Sequence, residues 1–175
     1  NLAGVRDVRL RVYSPVMRAA VLSLAVTLLA SLPAFAQTTR PARPNIVIIM
    51  ADDMGYSDIT CFGGEVQTPH IDTLAKSGIR ATNFYVAPTC SPTRSMLLSG
   101  VDTHLNGLGN MSEWTAPNQR GLVGYEGYLN KNVVTLPQLM KDAGYHTYMV
   151  GKWHLGKAPD RIPAARGFER DFSLL

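Results

Sequence analysis

Cys90, Pro92 and Arg94 fall at alternate positions within Ala-Pro-Thr-Cys-Ser-Pro-Thr-Arg-Ser-Met-Leu-Leu-Ser-Gly, residues 87–100. Proline is best tolerated in the first turn of a helix and glycine is enriched just past its end, so the pattern predicts a short helix over 92–99. Cys90 then stands at the helix N-terminus, where unpaired backbone N–H groups and the positive end of the helix dipole favour a bound anion. Arg94, one turn further on, adds a permanent cation whose planar fork suits a tetrahedral oxyanion. The chemistry expected is that of a reactive group set inside an anion site. A second reading stays open on these residues alone: a buried structural thiol or, in an exported protein, a disulfide with Cys61, the other cysteine of the chain.

Two more groups of residues point to the same place. Asn45–Met50 (Asn-Ile-Val-Ile-Ile-Met) is a continuous β-branched run of the kind buried on both faces of a parallel sheet, and Asp52-Asp53 follow it. Ligands of open α/β sheets collect outside the carboxyl ends of strands, where adjacent carboxylates can hold a hard divalent cation through oxygen. A solvated turn before Gly55 would use the same residues. Lys152 and His154 lie two apart at the end of a third expected strand, 145–150. In an extended segment they point the same way, offering a cation and an imidazole to one anion and its leaving oxygen. A surface loop is again the bland alternative.

The elements that must position these groups alternate. Thr68–Gly78 reads as a helix with Pro69 in its first turn, Ile79–Val86 as a second strand, and 135–143 as a helix stopped by Gly144. A right-handed crossover between the first two strands would bring Asp52 and Asp53 near Cys90. Residues 101–128 show little periodicity and read as irregular surface beside a substrate cleft, with Trp114, Tyr125 and Tyr128 available for stacking or for packing. His70 is expected at the surface, and His104 takes no role.

Cys90-Ser91-Pro92-Thr93-Arg94, continued through Ser95-Met96-Leu97-Leu98-Ser99-Gly100, resembles the signature of the type I sulfatases, the arylsulfatase branch of the alkaline phosphatase superfamily. Gly151-Lys152-Trp153-His154-Leu155-Gly156 is similar to the second signature of that family, and Arg166–Phe172 is also arylsulfatase-like. The resemblance implies an α/β fold: the N-terminal part of an alkaline-phosphatase-like sandwich with a mostly parallel central sheet flanked by helices. It implies hydrolysis of a sulfate monoester, with Cys90 converted by a maturation enzyme to Cα-formylglycine, the nucleophile. It further implies Ca²⁺ held by Asp52, Asp53 and the modified Cys90, Arg94 steadying that side chain, and Lys152 and His154 contacting the sulfate. The family's later calcium ligands and a further His and Lys have no counterpart here, so residues 37–175 are expected to be an incomplete catalytic domain, inactive alone. The rivals are a phosphate or phosphonate hydrolase of the same superfamily and a noncatalytic exported protein with a Cys61–Cys90 disulfide.

The 175 residues suffice for one domain of ordinary size. Met17-Arg18, the apolar stretch Ala19–Leu32 and Ala34-Phe35-Ala36 make a secretory signal peptide, residues 17–36, cleaved after Ala36; an uncleaved anchor is the alternative. Residues 1–16 are expected to lie upstream of the native start, and the mature protein to be exported, periplasmic or secreted from a bacterium, with no stable membrane association. Residues 1–36 hold four of the 17 basic residues and one of the 13 acidic ones. That leaves 13 against 12, a net charge of +1 in place of +4, which gives nucleic-acid binding no support.

Overall fold

The structure, a computed structural model, describes residues 43–175. The chain divides into two compact units, residues 1–48 and 49–175. Of the first, residues 43–48 are described; they form no regular secondary structure and are exposed. The upstream segment, the signal peptide and the polar lead-in as far as residue 42 lie outside the described residues. Among the described residues no helix is long and apolar enough to cross a membrane.

The second unit is α/β. Its helices are α1 (Pro69–Ser77), α2 (Cys90–Ser99), α3 (Thr103–Asn106) and α4 (Leu136–Asp142), and its strands are β1 (Tyr148–Lys152) and β2 (Arg170–Leu174). The strands pair in parallel, with Tyr148 opposite Arg170 and Lys152 opposite Leu174. Each helix ends where its local chemistry dictates. α1 opens with Pro69 in its first turn and stops where the Gly78 N–H donates to Leu74 O at 2.8 Å. α2 starts two residues earlier than the proline suggests, because the Thr93 N–H already reaches Thr89 O. It closes at Gly100, whose φ of 67° only glycine adopts without strain. α4 carries a capping box, Thr135 with Gln138, that satisfies two of its orphan N–H groups reciprocally.

Two expected strands are absent. Residues 45–50 and 79–86 have no strand assignment, and Val47, Ile49, Ile79 and Tyr85 are each at least 80% exposed. A β-branched run is only a candidate strand. It becomes one when a neighbour takes up its N–H and C=O groups, and the described residues provide none. β1 starts three residues later than expected, after Gly144 turns the chain with φ 83° and Thr147 O accepts the N–H of Glu169. Its partner β2, Arg-Asp-Phe-Ser-Leu, has no clear strand pattern in sequence.

The core gathers Leu108, Leu129, Val133, Trp153 and Leu155, with Leu98, Val101, Met149 and Phe168 packed against it. Trp153 is fully buried, edge-on to Phe168, and its Nε1–H donates to Arg161 O at 2.9 Å. The supposedly irregular stretch after α2 is tightly built. Asn106 is fully buried and donates to Ser95 Oγ and Val101 O while accepting from the Leu108 N–H, which locks α3 onto α2. His104 donates or accepts through Nε2 at 3.0 Å from Tyr125 OH, and Tyr128 lies under the Arg161 guanidinium, so both tyrosines pack within the protein. Trp114 stays exposed.

Candidate functional site

Helix α2 carries Cys90 as its first residue and buries Ser91, Pro92, Arg94 and Ser95 beneath it. The thiol therefore sits at the helix N-terminus, where backbone donors and the helix dipole favour negative charge. Cys90 is free, as is Cys61, an arrangement that does not favour the disulfide rival.

Around the thiol the chain assembles groups from three distant stretches. Lys152 Nζ lies 3.3 Å from Cys90 Sγ and 2.9 Å from Asp52 Oδ2. The other oxygen of Asp52 accepts from Arg94 Nη2 at 3.0 Å, and Arg94 Nη1 donates to Lys152 O at 2.7 Å. Arg94 thus ties the Asp52 loop to the end of β1 from inside the protein. Asp53 Oδ1 stands 4.0 Å from the sulfur, on a backbone with φ 58°. Aspartate tolerates that left-handed conformation, but holding it costs about 1–3 kcal/mol, which the surrounding contacts must offset. Asp52, Asp53 and Cys90 offer ligand atoms within 4.8 Å of one another, a group that could hold a metal ion. Two carboxylate oxygens are hard donors and suit a hard divalent cation.

The electrostatics follow from the contacts. The hydrogen bond from Lys152, then that from Arg94, hold the Asp52 carboxyl down to about 2 against a small opposing effect of burial. Asp52 in turn raises Lys152, with Cys90 next in effect. The cluster is a carboxylate between two permanent cations with one cation left facing sulfur.

β1 and the turn after it deliver the remaining group. Trp153 anchors the segment by its burial and by its N–H to Leu174 O at 2.8 Å, leaving Lys152 and His154 on either side. His154 is not in extended backbone, as alternation would have it: its φ is 57°. Lys152 and His154 nonetheless line one cleft of about 440 Å³, with Ser112, Glu113, Lys157, Leu174 and Leu175. His154 Nε2 lies 2.9 Å from Glu113 Oε1. Burial raises Glu113, but its own backbone N–H, Ser112 and His154 outweigh that and leave it lowered.

Each residue singled out by motif is therefore accounted for. Asp52, Asp53, Cys90, Arg94 and Lys152 form one cluster, and His154 joins it through the cleft it shares with Lys152. Arg94 contacts Asp52 and the Lys152 carbonyl rather than holding the thiol directly. Glu113 was missed. It lies on the 3₁₀ turn Ser112–Trp114, inside a stretch without periodicity, and no spacing in the sequence links it to a histidine 41 residues on.

The family model for Sulfatase matches residues 44–173. An uncharacterized sulfatase of Schizosaccharomyces pombe is 52% identical over 145 residues, 81% of this chain and 26% of its own length. The arylsulfatase of Klebsiella aerogenes is 44% identical over 140 residues, 80% of this chain and 30% of its own. The crystal structure of PsFucS1 sulfatase from Pseudoalteromonas sp. superposes with a TM-score of 0.62 at 28% identity, covering 91% of this chain and 30% of that one. The chain thus spans under a third of the length of these relatives. Likeness of sequence and likeness of fold agree with the geometry around Cys90, and the chain belongs to the sulfatase family, with the α/β, alkaline-phosphatase-like fold of that family.

Proposed function

We propose that the protein hydrolyses sulfate monoesters, as a sulfuric ester hydrolase of arylsulfatase type. The observation that carries this reading is the contact of Lys152 with both Cys90 Sγ and Asp52, at the N-terminus of α2. A sulfate ester needs a nucleophile at sulfur, cations on its equatorial oxygens and a proton for the departing alcohol. In this reading Cys90 matures to Cα-formylglycine, and Sγ stands where the nucleophilic oxygen would be. Asp52 and Asp53 hold Ca²⁺ together with that side chain; when bound, the ion supplies charge that polarises sulfate oxygen.

The chain's own groups do the rest. Lys152 neutralises a sulfate oxygen beside position 90, and its ammonium is oriented by Asp52. Arg94 holds Asp52 and the β1 end in register, a positioning role. His154 binds the sulfate and holds a proton at Nε2 for the leaving oxygen. Residues 37–175 form part of the catalytic domain, and residues 17–36 are removed on export to the periplasm or the medium.

Mass spectrometry of the exported, full-length protein tests the central step. Conversion of Cys90 to formylglycine removes about 18 Da from its peptide. The same preparation should turn over nitrophenyl sulfate faster than nitrophenyl phosphate, and Cys90→Ala should abolish turnover. An unmodified Cys90 in an enzyme that is active on sulfate esters would sink the proposal.

A further inference from the structure

His154 offers the cleft a single nitrogen. Its Nδ1 is buried and has no hydrogen-bond partner. Its Nε2 is already met by Glu113 Oε1 at 2.9 Å. Glu113 is half-exposed, and its other oxygen accepts from Ser112 Oγ at 3.0 Å. Ser112 is itself backed by Gly127, where an added Cβ would stand 2.9 Å from Ser112 Cβ. A carboxylate tethered in this way faces the same cleft as Lys152. An anion that reaches Lys152 and also uses His154 must take Nε2 from Glu113, because the other nitrogen is sealed.

We propose that Glu113 is a specificity-determining residue that occupies His154 Nε2 in the ligand-free protein and selects, by its charge, which anions can displace it. The inference rests on the reading of His154 as a sulfate contact. Repulsion between like charges scales with the charge of the incoming group. A sulfate monoester brings one negative charge. Inorganic sulfate and a phosphate monoester at neutral pH bring close to two, so Glu113 opposes them more strongly. The carboxylate therefore favours the ester substrate over its dianionic product and over phosphate analogues, a discrimination built on repulsion rather than on added contacts. Release of inorganic sulfate is assisted by the return of Glu113 to the imidazole.

The test uses the full-length, matured enzyme and the isosteric, neutral substitution Glu113→Gln. Inhibition constants for inorganic sulfate and phosphate are expected to fall about fivefold while KM for nitrophenyl sulfate falls by about twofold or less, because the repulsion that the substitution removes grows with the charge of the anion. Ser112→Ala, which unties Glu113 without removing it, should shift the same constants in the same direction by a smaller factor. Equal changes for monoanion and dianion, no change for either, or weaker dianion binding would overturn the inference. His154→Ala separates it from the reading beneath it. Weakened binding of inorganic sulfate by calorimetry in His154→Ala, with selectivity unmoved in Glu113→Gln, overturns the selector alone. Undiminished binding in His154→Ala overturns the assignment of His154 and the selector with it.

Discussion

Residues 45–86 and residues 90–155 are both rich in apolar side chains, yet only the second stretch gathers some of them into a buried core. Ile49, Ile79, Phe84 and Tyr85 lie largely in solvent, whereas Leu108, Leu129, Trp153 and Leu155 are sealed. The difference is in how each stretch closes its backbone. From 90 onward the chain satisfies itself over short range, through the α2 N-terminus, the Asn106 bridges, the Thr135–Gln138 box and the β1–β2 ladder. The earlier stretch closes locally between Thr60 and Thr68 and along α1; its apolar runs 45–50 and 79–86 need strands from elsewhere in a sheet, and among the described residues no such strand lies beside them. Asp52 sits between two such runs and is nevertheless fixed, because Arg94 and Lys152 reach out from the closed region to hold it. The site is thus assembled from the ordered side.

The largest expected effect breaks that side at its centre. Trp153→Ala removes a fully buried indole whose Nε1–H is bonded to Arg161 O, and core truncations of this size cost about 3–5 kcal/mol. Because Trp153 separates Lys152 from His154, the substitution should loosen both. Chemical denaturation would register the loss. A cost below about 1 kcal/mol would mean that the closed region does not depend on this core.

How far the sequence reached follows the same division. Helices α1, α2 and α4 were legible within a residue or two because their signals are local: proline near the start, glycine past the end, a threonine cap. The 45–50 and 79–86 strands were over-read, since β-branched composition reports a preference that only a paired neighbour realises. β2 was under-read for the converse reason: its Arg170 and Asp171 look like surface, and its ladder with β1 lies 22 residues away. Of the residues that the motifs single out, Asp52, Asp53, Cys90, Arg94 and Lys152 lie together and His154 shares a cleft with Lys152. Glu113 is not among them, because its significance lies entirely in a tertiary contact with His154.

A smaller effect probes the bridge between the two regions. The Asp52 carboxyl titrates at about 2 in the folded protein, below the ordinary value of 3.8, owing first to Lys152 and then to Arg94. A depressed carboxylate contributes stability that is complete above its unfolded value and is lost as pH falls through the folded one. The metal-free protein should therefore lose this contribution between about pH 4 and pH 2. Asp52→Asn should flatten that part of the acid limb. Since Asp52 is partly in solvent, the contribution is expected to stay below about 1 kcal/mol. An acid limb identical in the two proteins would show that the bridge orients Lys152 without stabilising the fold.

The smallest effect is expected where the comparison is sharpest. Phe84→Ser replaces a side chain that is 74% exposed on a segment without regular structure. Surface changes of this kind move stability by no more than about 0.5 kcal/mol, so its denaturation midpoint should match that of the parent chain. Amide exchange provides the finer measure. The N–H groups of residues 79–86 should exchange quickly, while that of Trp153, bonded to Leu174 O, should be protected along with those of the β1–β2 ladder. Strong protection across 79–86 in the same chain would mean that this run does find a strand partner. The contrast between an open and a closed region would then collapse, and with it the conclusion that, among the described residues, Asp52 is held from the Cys90 side.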